Sequence, residues 1–448
     1  MTASPLGRDY RLLWSAAVSS RLGDALRTPA LALLAATLTR DPRVIAAVTV
    51  AGQLPPLLFG LLGGVYADRW DRRRTMAAVD GLRAAVVGGL AVAVALDRAG
   101  VAALVAAAFL LAALGTLFDA AAFAMLPSVV PPAALSHANG RLQAGTAVAG
   151  GFLGAPAAGV LFALAAPLPF ALDALTFAAA ALLILALRPT RPHAPRSSDR
   201  PANTPQSGDH NRKVVESGRG PGLGGRKGAV WREVFEGVRW VRGDVMLWRI
   251  TVLTAGSNLA ISGLLAVLVL YALDVLRVPP AGYGLFAAAA VLGGLAGGLG
   301  AGRLAARLGT VPALRAVLAA QAVALTGLAL ARHPLPGGLA LAVFAAGTTV
   351  WNSLWAAYGQ GRVPAHLLGR VGSAQRMVGL LTAPVGAALA GLGGAAYGVG
   401  PVAAAVAGVF MLVTLAAWRV LRPSAPVPPA APPTTVGTAG RPGWPPSR

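Results

Sequence analysis

The sequence predicts an all-α membrane protein: twelve transmembrane helices arranged as two pseudo-symmetric bundles of six. Three observations carry that prediction. First, 56% of the 448 residues are hydrophobic and only 12% are charged, whereas a soluble globular domain carries roughly 25% charged residues. Second, the mean hydropathy is +0.66, and apolar runs of about 20 residues, the length that crosses a bilayer, recur along the chain. Third, features of the first half return in the second. ADR at Ala67–Arg69 is echoed by AAR at Ala305–Arg307, and LPSVVPP near Pro131 by GRVPAHLLGR near Pro364. Duplicated bundles of this kind place a binding site between the halves at mid-membrane.

Apolar runs between charged or Pro/Gly-rich breaks set the spans in order. The first six fall at 11–37, 44–67, 74–96, 101–126, 136–165 and 167–188. The second six fall at 246–273, 281–306, 310–331, 335–362, 367–396 and 399–421. The first run is too long for a cleavable signal and lacks a small-residue cleavage site, so it is expected to remain as span one. Abundant Gly and Ala suit close helix approach in lipid, where packing drives association.

Charge alternates between the two ends of the spans. Arg8, Arg11, Arg69, Arg72, Arg73, Arg74, Arg303, Arg307, Arg362, Arg370 and the tail after Arg422 fall to one side. Arg40, Arg43, Arg98, Arg277 and Arg332 fall to the other. Cytoplasmic loops hold the Lys/Arg excess. Both termini and the central linker are therefore expected on the cytoplasmic side of a cell inner membrane. The net charge of +22 reads as membrane orientation and not as a nucleic-acid footprint.

These breaks divide the chain into an amino-terminal bundle (1–188), a linker (189–228), a short helix (229–245), a carboxy-terminal bundle (246–422) and a tail (423–448). The linker is rich in Pro, Gly, Ser and Arg and has little to bury, so it is expected to be a disordered tether. In AVWREVFEGVRWVRGD, Trp231, Val234, Phe235, Val238 and Val241 recur at helical spacing. That pattern predicts an amphipathic helix in the headgroup layer. The tail is Pro-rich and expected to be unstructured.

A charged knot, GGVYADRWDRRRT, interrupts the apolar pattern between spans two and three. It resembles the loop signature of the major facilitator superfamily, which reads roughly G-x-x-x-D-R-x-G-R-R. Gly64, Asp68, Arg69, Arg72 and Arg73 match, and Asp71 stands where the second Gly is usual. Other stretches resemble the exporter branch that includes enterobactin and macrolide exporters: SSRLGDAL, AVDGLRA, MLPSVVPPAAL, FALDALTF and GRV. The resemblance covers about residues 9–422 and implies the major facilitator fold. It also implies that the loop latches the two halves on the cytoplasmic side in the outward-facing state, with Asp80 and Arg83 supporting it. The second copy has Ala306 where Asp68 sits, which makes the latch one-sided. In span five, Gly150, Gly154, Pro156 and Gly159 resemble the antiporter motif G-x-x-x-G-P-x-x-G with the Gly–Pro spacing shifted by Ala155. There Gly permits close helix contact, and Pro removes a backbone bond and kinks the helix.

Ionisable groups inside a bilayer cost about 2.5–3.5 kcal/mol on insertion scales, which marks them as functional candidates. Asp24, flanked by Arg21 and Arg27 at spacings of three, reads either as a neutralised structural cluster or as a carboxylate for protons or cationic cargo. Asp119 has no charge nearby on its own helix; it could pair with an arginine of span one across the cavity, and it is a candidate for proton coupling. Asp173 reads more readily as a structural partner than as a coupling group. The carboxy-terminal half offers Asn258, Gln321, Asn352 and Gln360, with Trp351, Trp355, Tyr271 and Tyr358, as polar and aromatic surface for an amphipathic organic molecule.

The expected activity is secondary export of a small amphipathic compound, such as a drug, natural product or siderophore, by alternating access and proton antiport. The expected partners are that small molecule, protons and the lipid bilayer, with the protein a monomer. Import, or a non-transporting sensor or enzyme of the same fold, is the alternative. With no cysteine, thiol chemistry is excluded. No phosphate-binding G-x-x-x-x-G-K-[ST] loop occurs. The histidines do not pair with acids inside a predicted span, so no enzyme, cofactor or metal site is expected.

Overall fold

Helices form because the bilayer leaves the backbone no other partner, and the computed structural model is helical throughout its described residues. These are 7–67, 71–131, 134–188, 239, 242–243, 245–362 and 368–420. Asp68, Arg69, the linker and the tail lie outside them, as does nearly all of the 229–245 segment.

The amino-terminal half comprises α1 (Arg8–Leu38), α2 (Pro42–Ala67), α3 (Arg72–Ala95), α4 (Val101–Val129), α5 and α6 (Leu168–Leu185). Helix α5 runs in three pieces: Leu135–Ala147, a π-helical stretch over Val148–Gly154, and Ala155–Leu164. The carboxy-terminal half comprises α7 (Val245–Leu270, ending in a π-helical stretch over Tyr271–Val275), α8 (Pro280–Leu308), α9 (Thr310–Leu330), α10 (Pro334–Arg362), α11 (Leu368–Tyr397) and α12 (Val399–Val420). Eleven of these helices are long and apolar enough to cross a membrane. The twelfth, α1, carries Arg21, Asp24 and Arg27 in its middle. Its 31 residues still extend about 46 Å at 1.5 Å per residue.

Long-range hydrogen bonds identify the two ends of the bundle. At one end, the terminal face, Tyr10 Oη donates to Ala138 O at 2.9 Å, Trp14 Nε1 to Arg141 O at 3.0 Å and Arg315 Nη2 to Trp418 O at 2.7 Å. Arg73 of the knot donates there to the carbonyls of Ile184 and Leu185, closing the end of α6 onto the start of α3. Asp71 caps α3, its carboxylate accepting from the Arg74 N–H at 3.2 Å. An acid at a helix N-terminus satisfies an orphan donor and meets the positive end of the dipole. That gives the acid standing in place of the motif's second glycine a local structural job.

At the opposite end, the far face, the two halves meet closely. Helix α5 crosses α8 at Gly159 and Gly284. A Cβ on Gly159 would lie 2.7 Å from Ala281 O and 2.8 Å from Gly284 N, and one on Gly284 would strike Ala155 O. Only hydrogen at both positions lets the backbones touch. Helix α11 packs on α2 at the same end, where Gly391 lies against Ala46 and Pro42. Pro156 was expected to kink span five. The structure instead puts the π-helical stretch ahead of Pro156, which sits in the first turn of the following segment. Proline is tolerated there because its missing N–H costs least in a first turn, and single π turns often mark functional regions of helices.

Candidate functional site

Small residues on α1 bring the charged side chains together. Gly23 faces α6 so closely that a Cβ would collide with Asp173 Oδ1 and Thr176 Oγ1. This approach puts Asp173, wholly buried, within reach of Arg27, whose Nη1 lies 3.2 Å from Asp173 Oδ2. The same guanidinium donates through Nη2 to Asp24 Oδ1 at 2.6 Å. Asp24 also lies 4.0 Å from Arg21 Nη1, and Arg21 Nη2 reaches Asp119 Oδ1 on α4 at 3.4 Å. A chain of alternating charge thus runs Asp173–Arg27–Asp24–Arg21–Asp119. Its exposure is graded: the Asp173 side chain is 0% exposed, Asp24 21% and Asp119 65%.

Helix α3 adds a second buried pair. Arg83 Nη1 lies 3.4 Å from Asp80 Oδ1 and 3.4 Å from Ser20 Oγ on α1. The ring of Phe177 stands between the two arginines, with its centroid 5.8 Å from Arg27 Cζ and 5.0 Å from Arg83 Cζ. Phe118 lies 5.3 Å from Arg83. A guanidinium over an aromatic face gains about 0.5–2 kcal/mol, most when desolvated. The sequence associates Asp80 and Arg83 with the loop knot. In the structure both are buried, with Arg83 set among Ser20, Phe118 and Phe177; Asp68 and Arg69 of the loop lie outside the described residues. One carboxylate oxygen each of Asp80 and Asp173, and Nε of Arg83, are buried without a hydrogen-bond partner among the described residues.

Among the described residues the cluster holds four carboxylates (Asp24, Asp80, Asp119, Asp173) against three guanidiniums (Arg21, Arg27, Arg83), an excess of one negative charge when all are ionised. No His, Cys, Asp or Glu group that could hold a metal ion occurs among the described residues.

The carboxy-terminal candidates divide differently. Gln321 is not a cavity residue: it is buried, and its Nε2 donates to Phe344 O at 3.3 Å and to Thr348 Oγ1 at 3.0 Å, tying α9 to α10. A buried amide is costly unless hydrogen-bonded, and the neighbouring helix meets that requirement. Tyr271 is likewise buried and donates its hydroxyl to Leu328 O at 2.6 Å. Trp351 is buried in the core of this half. Asn352 is exposed, while Asn258 and Trp355 are half-buried. The side chains of Tyr358 and Gln360 lie outside the described residues. In the antiporter-like motif, Gly154 packs against Ala25 of α1, Gly159 touches α8, and nothing lies within 4 Å of a Cβ placed on Gly150. Of the knot, Gly64 ends up within α2, and Arg72 and Arg73 begin α3. An apolar crevice of about 950 Å³ lined by Val50, Leu54, Phe109 and Leu392 lies toward the far face, away from the ion cluster.

Known proteins agree with this architecture. No curated protein matches the sequence. The structure resembles a bacterial homologue of the human lysosomal transporter Spinster, inward-facing and unoccupied, with a TM-score of 0.69 at 14% identity, covering 93% of this chain and 98% of that one. It also resembles a bacterial homologue of the iron transporter ferroportin in its inward-facing state, with a TM-score of 0.68 at 14% identity, covering 93% and 99%. The outward-facing state of a ferroportin homologue with soaked iron gives a TM-score of 0.52 at 15% identity, covering 92% and 98%. The model of the Major Facilitator Superfamily matches residues 13–387; with two six-helix halves meeting at one end of the bundle, the chain belongs to the Major Facilitator Superfamily of membrane transporters.

Proposed function

We propose that the chain exports a small amphipathic organic compound from the cytoplasm across the inner membrane in exchange for protons, acting as a monomer. The observation that carries this reading is the uneven charge of the amino-terminal cluster. Four carboxylates share three guanidiniums in a region where unpaired charge is costly. Taking up one proton makes the cluster neutral, and losing it restores the excess charge. Asp119 is the exposed end of the chain of charges and Asp173 the buried end. A proton or a cationic cargo group arriving at Asp119 frees Arg21 to turn toward Asp24, and the rearrangement passes inward to Arg27 and Asp173. A ligand shifts a conformational balance only through its different affinity for the two states, and a cluster that changes charge supplies such a difference.

The far-face contacts between α5 and α8, and between α2 and α11, support a resting arrangement closed at that face. The higher TM-score against inward-facing relatives is in keeping with it. The excess of arginine at the terminal face supports a cytoplasmic position for that face. The described part of the knot, Asp71 to Arg74, then lies on the cytoplasmic side, where the family resemblance implies a latch between the halves. An organic cargo rather than a metal ion fits a cluster whose acids are each bound to arginine, and the neutral Asn258, Asn352 and Trp355 of the other half would offer hydrogen bonds and an aromatic face.

The test is a toxicity panel on cells that lack or overproduce the protein, followed by flux of the active compound in proteoliposomes. The expected result is accumulation driven by an imposed pH gradient in the parent protein and its loss in Asp24→Asn and Asp119→Asn. Gradient-driven flux that survives both substitutions would refute the carboxylate assignment. Flux indifferent to the gradient would refute proton exchange.

A further inference from the structure

The far face holds an ion pair that the transport reading does not use. Arg40 lies in the turn between α1 and α2 in the amino-terminal half. Asp274 lies in the π-helical stretch that ends α7 in the carboxy-terminal half. Arg40 Nη1 donates to Asp274 Oδ1 at 2.8 Å across the seam. The other ion pairs described above stay within the amino-terminal half.

Both partners are held in place. Around Asp274, the Leu276 N–H donates to Tyr271 O at 3.0 Å and the Val278 N–H to Ala272 O at 2.9 Å. Buried Tyr271 anchors this wide turn through its bond to Leu328 O on α9. Arg277 then carries the chain through the left-handed region at φ 57°, a conformation uncommon outside glycine. Beside Arg40, the adjacent carboxylate of Asp41 is already occupied. Arg43 reaches it at 2.7 and 3.1 Å and holds its carboxyl below the usual carboxylate range. Arg40 is thereby left to Asp274. Beneath the pair, Ala46 of α2, Ala266 of α7 and Ala387 of α11 pack together across the same seam, all buried.

We propose that Arg40 and Asp274 form a clasp that biases the protein toward the arrangement closed at the far face. Glycine contacts provide the closed surface, and the ion pair adjusts how often it opens. The side chains are 61% and 48% exposed, so water and salt weaken the pair. An effect of about two- to fivefold on the open population follows from the strength of exposed ion pairs. That is enough to matter where two states are nearly balanced.

The chain has no cysteine, which allows a test that needs no cargo. A266C is introduced into the full chain in lipid nanodiscs, and its rate of reaction with a charged maleimide is measured. R40D and D274R are each expected to raise that rate about two- to fivefold, and the R40D/D274R swap to restore it. Salt at 1 M is expected to raise the rate in the A266C parent but not with R40A added. R40A and D274N, which only remove charge from exposed side chains, stand in if a reversal does not fold. Rates that are equal in parent and single variants, a swap that reacts as fast as the singles, or a parent rate indifferent to salt overturns the clasp. The proposal assumes two interconverting states but no coupling ion. Its failure therefore leaves proton exchange untouched, and failure of the flux assay leaves the clasp standing.

Discussion

The two halves share a six-helix plan and fill their centres with opposite chemistry. The amino-terminal half buries ions: Asp80 and Arg83 on α3 and Asp173 on α6, with Arg27 beside them on α1. The carboxy-terminal half buries neutral groups that bond across helix pairs to backbone carbonyls. Gln321 bonds to Phe344 O, Tyr271 to Leu328 O and Thr414 to Leu318 O. Neutral groups satisfied in this way fix one packing and respond little to the surroundings. Charged groups in unequal number respond to a single proton. Under the proposed proton exchange, this difference would give the coupling role to the first half and leave the second as a comparatively passive wall and partner.

The strongest test of that contrast is Asp173→Ala. It leaves Arg27 short of a buried partner, and breaking such a pair costs about 3–5 kcal/mol. Thermal unfolding of the purified protein in detergent should show the loss; a melting curve like the parent's would mean that the pair is not a buried element of the fold. Gly23→Ala should come next. Its methyl would meet Asp173 Oδ1 and Thr176 Oγ1, and overpacking of this kind costs about 1–3 kcal/mol. Gly300→Ala in the other half, where nothing lies within 4 Å of the added methyl, should lose no stability in the same melt. Gln321→Leu should cost about 2 kcal/mol, because it removes two hydrogen bonds and a typical one contributes about 1 kcal/mol net. Flux driven by a pH gradient should persist in this variant, and its loss would place coupling chemistry in the half that is read as neutral. Asp119→Asn should change stability least, by about 1 kcal/mol or less for an exposed pair, yet abolish gradient-driven flux. A stable Asp119→Asn protein with normal coupling would move the exchange site elsewhere.

Much of the fold was legible because it follows from composition. Apolar runs and their breaks place the twelve helices, α1 included although Arg21, Asp24 and Arg27 lower its hydropathy, but they do not show the π-helical stretches in α5 and at the end of α7. Part of the site was legible too, because spacing of three on one helix sets Asp24 beside Arg21 and Arg27. What could not be read was contact between distant segments. That Arg83 would lie against Phe118, Phe177 and Ser20 is a matter of three different helices meeting, which no local spacing shows. Gln321 was read as a cavity residue because an amide in an apolar run shows its polarity but not which helix will face it. Nothing in the sequence links Arg40 to Asp274, since they lie 234 residues apart on opposite halves. The glycines of α5 did signal close packing, but not that α8 would be the partner.

The sequence by itself determined that this chain lives in a bilayer, where its helices begin and end, and which few charges the membrane must tolerate. Those outcomes depend on transfer free energies and local hydrogen bonding, which act residue by residue. The tertiary structure decided which charges neutralise one another, which polar groups are consumed in packing, and at which end the halves close. These depend on helix-to-helix approach over a few ångströms, set by side-chain volume at positions such as Gly23, Gly159 and Gly284, and such distances exist only once the whole bundle has assembled.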